Sequence, residues 1–136
     1  MSTIDDPRKH ALDLAKLSKC RIKMGAIVVK HGKILGESCN YALDDRGIHA
    51  EIAAVHNAFQ RGLTRKDLWG ARIVVAGFVE SGNFVRTAKP CVELNKRTRK
   101  PGQIPCMEYL RRHGIKEVEF VTKKGKWKVG PIQQAV

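Results

Sequence analysis

The sequence predicts an α/β fold in three layers, with a mixed β-sheet of about five strands and helices on both faces. Two observations lead to this prediction. An early pair of apolar segments is joined by a short glycine-containing turn, which is typical of a β-hairpin. Beyond it, segments with helical spacing alternate with β-branched segments, and parallel strands need such helical crossovers. The expected order is αββαβαβ, in one domain over residues 1–136.

The first half of the chain is expected to form a helix, the hairpin and a second helix. Asp6 followed by a proline is typical of a helix start, and apolar spacing continues this helix over residues 7–19. The hairpin strands are expected at residues 25–29 and 34–39, on either side of a glycine turn. The apolar spacing of the second helix begins at His49 and stops at a glycine.

The second half is expected to form two strands around a third helix, followed by a short final strand. Residues 71–79 are apolar and β-branched, and a turn at residues 81–83 leads into an extension of this strand. The third helix is expected to begin at Cys106 and to end at a glycine. Residues 118–122 are the next predicted strand, and residues 127–129 follow a lysine-rich turn as a short one.

The chain is strongly basic, and the charge is concentrated in its second half. The formal net charge is +13, and between Arg86 and Lys128 there are thirteen Lys or Arg residues against four Glu. Such a field favours phosphorylated small molecules or a polyanion such as single-stranded nucleic acid. A solvated, solubilising surface is the alternative interpretation of the same charge.

Hydropathy and the N-terminal residues favour a cytoplasmic protein that does not enter a membrane. No apolar run approaches the roughly 18 residues that a membrane span needs. The N-terminal segment lacks the separate charged and apolar regions of a secretory signal. In a reducing compartment, the four cysteines favour metal binding or inert thiols over disulfides.

Four residues with metal-binding or proton-carrying side chains lie where predicted strands give way to helices. His49 and Glu51 open the second helix, Cys91 follows the third strand, and Cys106 opens the third helix. One histidine and two cysteines can hold zinc and leave its fourth position open, as catalytic zinc sites do. Glu51 is not needed as a ligand, so it is the candidate general acid/base. The alternative is that these residues have structural roles only: His49 would cap a helix, Glu51 would be a surface carboxylate, and the two cysteines would be buried thiols.

The pattern His49-Ala-Glu51 with two later Pro-Cys pairs resembles the cytidine and deoxycytidylate deaminase superfamily, whose signature is H-x-E followed by P-C-x-x-C. The similarity extends over nearly the whole chain. It implies a cytidine-deaminase-like fold and a zinc enzyme in which zinc-activated hydroxide attacks C4 of cytosine, Glu51 shuttles the proton and ammonia leaves. The resemblance also implies that Asn40 and Ala50 bind substrate. It further implies that the protein is a homo-oligomer. Asn40 stabilising the end of a strand through its side chain is the alternative.

The spacing of the two cysteines departs from this signature, because fourteen residues separate Cys91 from Cys106 where two are usual. A long loop is compatible with a shared metal, since closing it adds only a logarithmic entropic cost. Deaminases of riboflavin biosynthesis also have an enlarged, arginine-bearing loop at this point, which implies that four basic residues here contact a substrate phosphate. These residues are Lys96, Arg97, Arg99 and Lys100.

Three functions fit these residues. The leading hypothesis is a deaminase of a cytosine nucleotide of the dCMP or CMP type, or of the nucleoside. The second is a nucleic-acid editing deaminase acting on cytosine or adenine in single-stranded DNA or tRNA, because a net charge of +13 exceeds what a mononucleotide needs. The third is a non-catalytic, zinc-stabilised module that binds nucleic acid. Residue patterns alone leave the base open, since purine deaminases use related sites.

Overall fold

A six-stranded mixed β-sheet is at the centre of the computed structural model, which describes residues 2–3, 6–43, 46–91 and 103–132. The strands of these residues, in chain order, are Ser2–Thr3 (β1), Lys23–Lys30 (β2), Lys33–Cys39 (β3), Tyr41–Leu43 (β4), Arg46–Ile48 (β5), Arg72–Phe78 (β6), Glu117–Val121 (β7) and Trp127–Pro131 (β8). The helices are Pro7–Lys16 (α1), Ala50–Gln60 (α2), Arg65–Leu68 (α3) and Cys106–Arg112 (α4). Strands β4 and β5 form a separate two-stranded ribbon.

The sheet has the strand order β1–β3–β2–β6–β7–β8, and within the described residues β6 and β7 are its one parallel pair. Helix α4 lies in the connection between these two strands, as a parallel pair requires. The other neighbouring strands are antiparallel. The predicted α/β class with a mixed sheet is therefore confirmed. The sheet has a sixth strand because the two residues of β1 pair with β3.

Two glycines show that α1 and α2 cover opposite faces of the sheet. A Cβ atom at Gly25 of β2 would clash with the backbone of Ala11 in α1, and one at Gly36 of β3 would clash with the backbone of Ala54 in α2. Gly36 pairs with Val28, an odd number of positions from Gly25 along β2. Because successive strand residues face opposite sides, the two helices pack on the two faces of the sheet.

Local sequence signals are confirmed at the start of α1 and in the hairpin turn. Asp6 caps the helix, and its carboxylate accepts a hydrogen bond of 3.1 Å from the Lys9 backbone N–H. The hairpin turn holds His31 and Gly32 at φ angles of 53° and 72°. Two successive positive φ angles are typical of the type I′ turn, whose twist matches that of the flanking strands.

The helices differ from the prediction in the length of α1 and in the presence of α3. Helix α1 ends at Lys16 rather than at residue 19, and the next turn carries Ser18 to the end of β3, where its hydroxyl donates to the Asn40 carbonyl oxygen at 3.1 Å. The sequence pattern does not predict α3, which is held by a capping box between Thr64 and Asp67, or the β4–β5 ribbon. No helix within the described ranges is both long and apolar enough to cross a membrane.

The predicted extension after β6 is confirmed. The Val79 backbone N–H donates to the Asn83 carbonyl oxygen at 2.8 Å, which closes a tight turn. Beyond that turn, Phe84 forms an antiparallel bridge with Phe78 at the end of β6. The chain then runs along the end of β7, where the Ala88 backbone N–H donates to the Val121 carbonyl oxygen at 2.8 Å. These bonds fix the path of the chain that leads to Cys91.

Candidate metal centre

The side chains of His49, Cys91 and Cys106 meet at one point of the structure. Their ligand atoms all lie within 4.8 Å of one another. His49 Nδ1 lies 3.0 Å from the sulfur of Cys106. Among the residues that the structure describes, this is the one cluster of three metal-ligating side chains, and Cys20 and Cys39 lie outside it.

His49 occupies the junction between β5 and α2. It is the N-cap residue of α2, with an extended backbone at φ −69° and ψ 148°, and its carbonyl oxygen accepts the Ala53 backbone N–H at 3.0 Å. Its side chain makes no capping hydrogen bond. The helix therefore starts directly after His49, and the imidazole extends to the two sulfur atoms instead of closing the helix end.

The start of α4 joins the two cysteines. Cys106 is the first residue of α4, and its backbone N–H donates to the Cys91 sulfur at 3.2 Å. The next backbone N–H, of Met107, donates to the Cys91 carbonyl oxygen at 3.0 Å. Both bonds hold Cys91 against the helix end, so the structure brings the ends of the fourteen-residue loop together. Residues 92–102 of this loop lie outside the described residues.

The three donors fit zinc. Zinc–sulfur bonds of about 2.3 Å and zinc–nitrogen bonds of about 2.0–2.1 Å place tetrahedral donors about 3.5–3.8 Å apart. Here His49 Nδ1 and Cys106 Sγ are 3.0 Å apart, and all three ligand atoms lie within 4.8 Å of one another. One imidazole and two thiols are a donor set that zinc prefers, and they leave one tetrahedral position for another group.

Hydrogen bonding makes the two thiols unequal in acidity. A hydrogen bond from Cys106 lowers the pKa of the Cys91 thiol to about 4. The same hydrogen bond, together with burial, raises the pKa of Cys106. A hydrogen bond with Cys91 raises the pKa of the His49 imidazole. The cluster thus favours a thiolate at Cys91, which is the form of cysteine that binds metal.

Glu51 is a buried carboxyl beside the three donors. It lies in the first turn of α2, two residues after His49, and is only 4% exposed. Burial raises the pKa of this carboxyl. A carboxyl whose pKa is raised toward neutrality can both accept and release a proton during a reaction.

A comparison with protein families identifies this arrangement. Residues 1–122 match the family model described as the cytidine and deoxycytidylate deaminase zinc-binding region. The chain belongs to this family. Membership confirms the resemblance seen in the sequence and makes the protein a hydrolytic deaminase with zinc as its cofactor.

Solved structures support the deaminase fold. The chain is similar to a diaminohydroxyphosphoribosylaminopyrimidine deaminase/5-amino-6-(5-phosphoribosylamino)uracil reductase from Thermotoga maritima, with 30% identity over 81% of this chain and a TM-score of 0.55. It spans only 26% of that longer protein. No curated protein sequence matches the chain.

Two further structures have the same fold at lower identity. One is a cytidine deaminase from Burkholderia pseudomallei, with 17% identity, a TM-score of 0.62 and coverage of 93% of this chain and 90% of that one. The other is a dCMP deaminase from the cyanophage S-TIM5 in complex with dCMP and dUMP, with 23% identity, a TM-score of 0.55 and coverage of 82% and 74%. They confirm the predicted cytidine-deaminase-like fold.

The predicted substrate-binding residues of this deaminase differ in where they lie, and only Asn40 and Ala50 are among the described residues. The Asn40 side chain is engaged by backbone: its oxygen accepts from the Met24 N–H at 2.9 Å, and its nitrogen donates to the Ile22 carbonyl at 2.8 Å. This geometry favours the alternative interpretation of Asn40, in which it holds strand ends together. Ala50 is fully buried at the start of α2. The four basic loop residues lie outside the described residues; these are Lys96, Arg97, Arg99 and Lys100.

The sequence pattern does not predict a basic groove between the segments that follow β6 and β7. Arg86 belongs to the extension after β6, whereas Lys123 and Lys124 follow β7, and the Lys123 backbone N–H donates to the Arg86 carbonyl oxygen at 3.2 Å. The charge count between Arg86 and Lys128 includes all three residues, but only the pairing of distant segments places them side by side.

Proposed function

We propose that this deaminase acts on a cytosine nucleotide, that His49, Cys91 and Cys106 hold the zinc, and that Glu51 carries the protons. One observation is the main support for this proposal: a buried carboxyl lies in the first turn of α2, two residues after His49 and beside a cluster of one imidazole and two thiols. When bound, zinc supplies a Lewis acid that makes water acidic enough to react near neutral pH.

Glu51 is suited to carrying a proton from the attacking water to the departing nitrogen. Water adds at C4 of the base, the bond from C4 to the exocyclic nitrogen breaks and ammonia leaves; the second proton of the water ends on N3, and the product is the uracil nucleotide. Glu51 takes one proton from the water oxygen and delivers it to the departing nitrogen, so the carboxylate is restored after each turnover. The first turn of α2 holds this carboxylate two residues from His49, and burial at 4% exposure excludes bulk water from it.

Two observations favour a nucleotide over a free base. The structure of the similar cyanophage enzyme contains dCMP and dUMP. The present chain also has a net charge of +13, which favours a phosphorylated substrate. The four basic residues of the inter-cysteine loop are proposed phosphate contacts, namely Lys96, Arg97, Arg99 and Lys100. The proposal also includes a cytoplasmic location, because thiolate ligands persist in a reducing compartment, and a single domain over residues 1–136.

Ammonia release from zinc-loaded protein tests the substrate. We expect turnover of dCMP or CMP with kcat/KM about tenfold or more above that of cytidine, because a phosphate adds charge-assisted hydrogen bonds. The purine nucleotides dAMP and dGMP are the comparison compounds. Release of ammonia from purine nucleotides alone, or from none of the cytosine compounds, would show that the proposed substrate is wrong.

Deamination within nucleic acid is a second candidate function. The net charge of +13 favours it, since a single phosphate needs far fewer cations. Deaminases of polynucleotides act on a base that is single-stranded or flipped out of a duplex. A single-stranded oligonucleotide with one cytosine, added to the same assay, compares the two functions directly. A non-catalytic zinc module, the third hypothesis, predicts no ammonia from any of these compounds.

A further inference from the structure

A groove between the segments that follow β6 and β7 is left unexplained by the deamination of one mononucleotide. It has a volume of about 610 Å³ and is lined by side chains from the extension after β6 and from the turn after β7. The lining residues used below are Asn83, Phe84, Arg86, Lys123 and Lys124. We call it the Phe84 groove.

The aromatic wall of the Phe84 groove is built by two packing contacts. The Phe84 ring stacks on Phe78, with ring centroids 5.3 Å apart and an interplanar angle of 29°. On another side the turn after β7 approaches the ring at Gly125, where a Cβ atom would lie 2.9 Å from a ring carbon. Gly125 also has a φ angle of 76°, so the turn needs glycine for two reasons. The half-buried ring is thus held in place as a wall of the groove.

The rim of the Phe84 groove is cationic. Arg86, Lys123 and Lys124 are exposed, and none of them pairs with a carboxylate of the described residues. The acidic residues nearest to them in the described sequence are already paired: Glu80 with Arg21 at 3.3 Å, and Glu119 with Arg8 at 2.7 Å and Arg72 at 2.9 Å. Three cations beside an aromatic ring match the two parts of a nucleotide, because phosphate needs positive charge and a base stacks on an aromatic face.

The Phe84 groove is close to the metal centre along the chain. Arg86 precedes Cys91 by five residues, so their Cα atoms are at most about 18 Å apart. The intervening segment is fixed to the end of β7 by the bond between Ala88 and Val121. A span of this size covers a few nucleotide units, so a nucleotide in the groove is within reach of a base at the metal centre.

We propose that the Phe84 groove binds a second nucleotide, with its base against Phe84 and its phosphate on Arg86, Lys123 and Lys124. This inference rests on the proposed function, in which a first nucleotide is deaminated at the metal centre. The second nucleotide has two possible sources with the same chemistry. It is either joined to the first one in a single strand, or it is a free nucleotide.

Binding of thymine compounds tests the groove, because thymine has no exocyclic amine and is not deaminated. The probes are dTMP, a single-stranded oligothymidylate and inorganic pyrophosphate, measured by calorimetry or fluorescence anisotropy. The charge variant is Arg86→Gln with Lys123→Gln and Lys124→Asn; asparagine is chosen because Lys124 has a φ angle of 66°. The matched control removes three lysines around another depression, with Lys30→Gln, Lys33→Gln and Lys66→Gln.

We expect the charge variant to bind the oligothymidylate at least tenfold more weakly, and its slope of log K against log salt to fall by about two. The control variant should change binding less than twofold. Phe84→Leu should weaken nucleotide binding severalfold but leave pyrophosphate binding unchanged, because only the base stacks on the ring. Oligothymidylate binding far tighter than dTMP binding identifies a joined nucleotide, and equal binding identifies a free one; both support the groove.

Two results overturn the inference. One is an equal loss of binding in the charge variant and the control variant, which would show diffuse surface attraction. The other is the absence of measurable binding by wild-type protein. Turnover of dCMP is measured in parallel on wild type: if dCMP is inert while thymine binding depends on Arg86, Lys123 and Lys124, the proposed function fails and the groove stands.

Discussion

Glu51→Gln should lower kcat on dCMP by about 10²–10⁴-fold while zinc stays bound, because general acid–base catalysis contributes rate factors of this size. Glutamine keeps the size of the side chain but cannot take up and release a proton. Glu51 is not one of the three donors whose atoms lie within 4.8 Å of one another, so the metal does not depend on it. Ammonia release and zinc content, measured on the same preparation, separate the two effects.

Glu108→Gln is the matched control for this experiment. Glu108 is also buried, at 7% exposure, and follows Cys106 by two residues as Glu51 follows His49. Its carboxylate is already engaged by Arg111 at 2.6 Å and Arg112 at 2.8 Å. We expect its replacement to leave kcat within about threefold of wild type and to affect mainly stability. Equal loss of kcat in both variants would remove the reason to assign proton transfer to Glu51.

Cys106→Ser should remove zinc and abolish deamination, a loss on the order of a thousandfold or more, because zinc sites depend on the full set of protein ligands. Cys106 links all parts of the cluster: its sulfur is 3.0 Å from His49 Nδ1, and its backbone N–H bonds to the Cys91 sulfur. The melting temperature should also fall, since a metal that binds only the folded state stabilises it. Metal analysis, ammonia release and thermal unfolding measure the three effects.

Cys20→Ser is the control for the thiol substitution. Cys20 is half-buried and lies outside the metal-ligating cluster. Its replacement should retain one zinc per chain and wild-type turnover. A Cys106→Ser protein that still holds zinc and releases ammonia would mean that another donor set binds the metal.

The elements that the sequence predicts well are those with local causes. The Asp6 cap, the turn at His31 and Gly32, and the start of α2 after His49 each depend on residues within a few positions of one another. Two donors of the metal centre were predictable for a similar reason, since His49 and Cys106 each lie at a helix start, whereas Cys91 was indicated by its Pro-Cys pair. Local signals of this kind survive in almost any fold that contains the element.

Apart from α3 and the β4–β5 ribbon, whose contacts are local, the features that the sequence does not predict depend on contacts between distant segments. The end of α1 is set by Ser18 bonding to Asn40, twenty-two positions away. The backbone role of Asn40 is visible only when Ile22 and Met24 are placed beside it. The Phe84 groove requires the pairing of the extension after β6 with the turn after β7. None of these pairings has a repeating pattern of residue types that would indicate it in advance.

X-ray absorption at the zinc edge of the wild-type protein is the most direct test of the proposal that His49, Cys91 and Cys106 hold the zinc. We expect two sulfur ligands at about 2.3 Å and lighter ligands at about 2.0–2.1 Å, one of them an imidazole nitrogen, with at least one position left for a group that the protein does not supply. Four sulfur ligands would indicate a closed structural site that recruits Cys20 and Cys39, and no sulfur would exclude Cys91 and Cys106 as ligands. Either result would contradict a catalytic zinc held by His49 and these two cysteines.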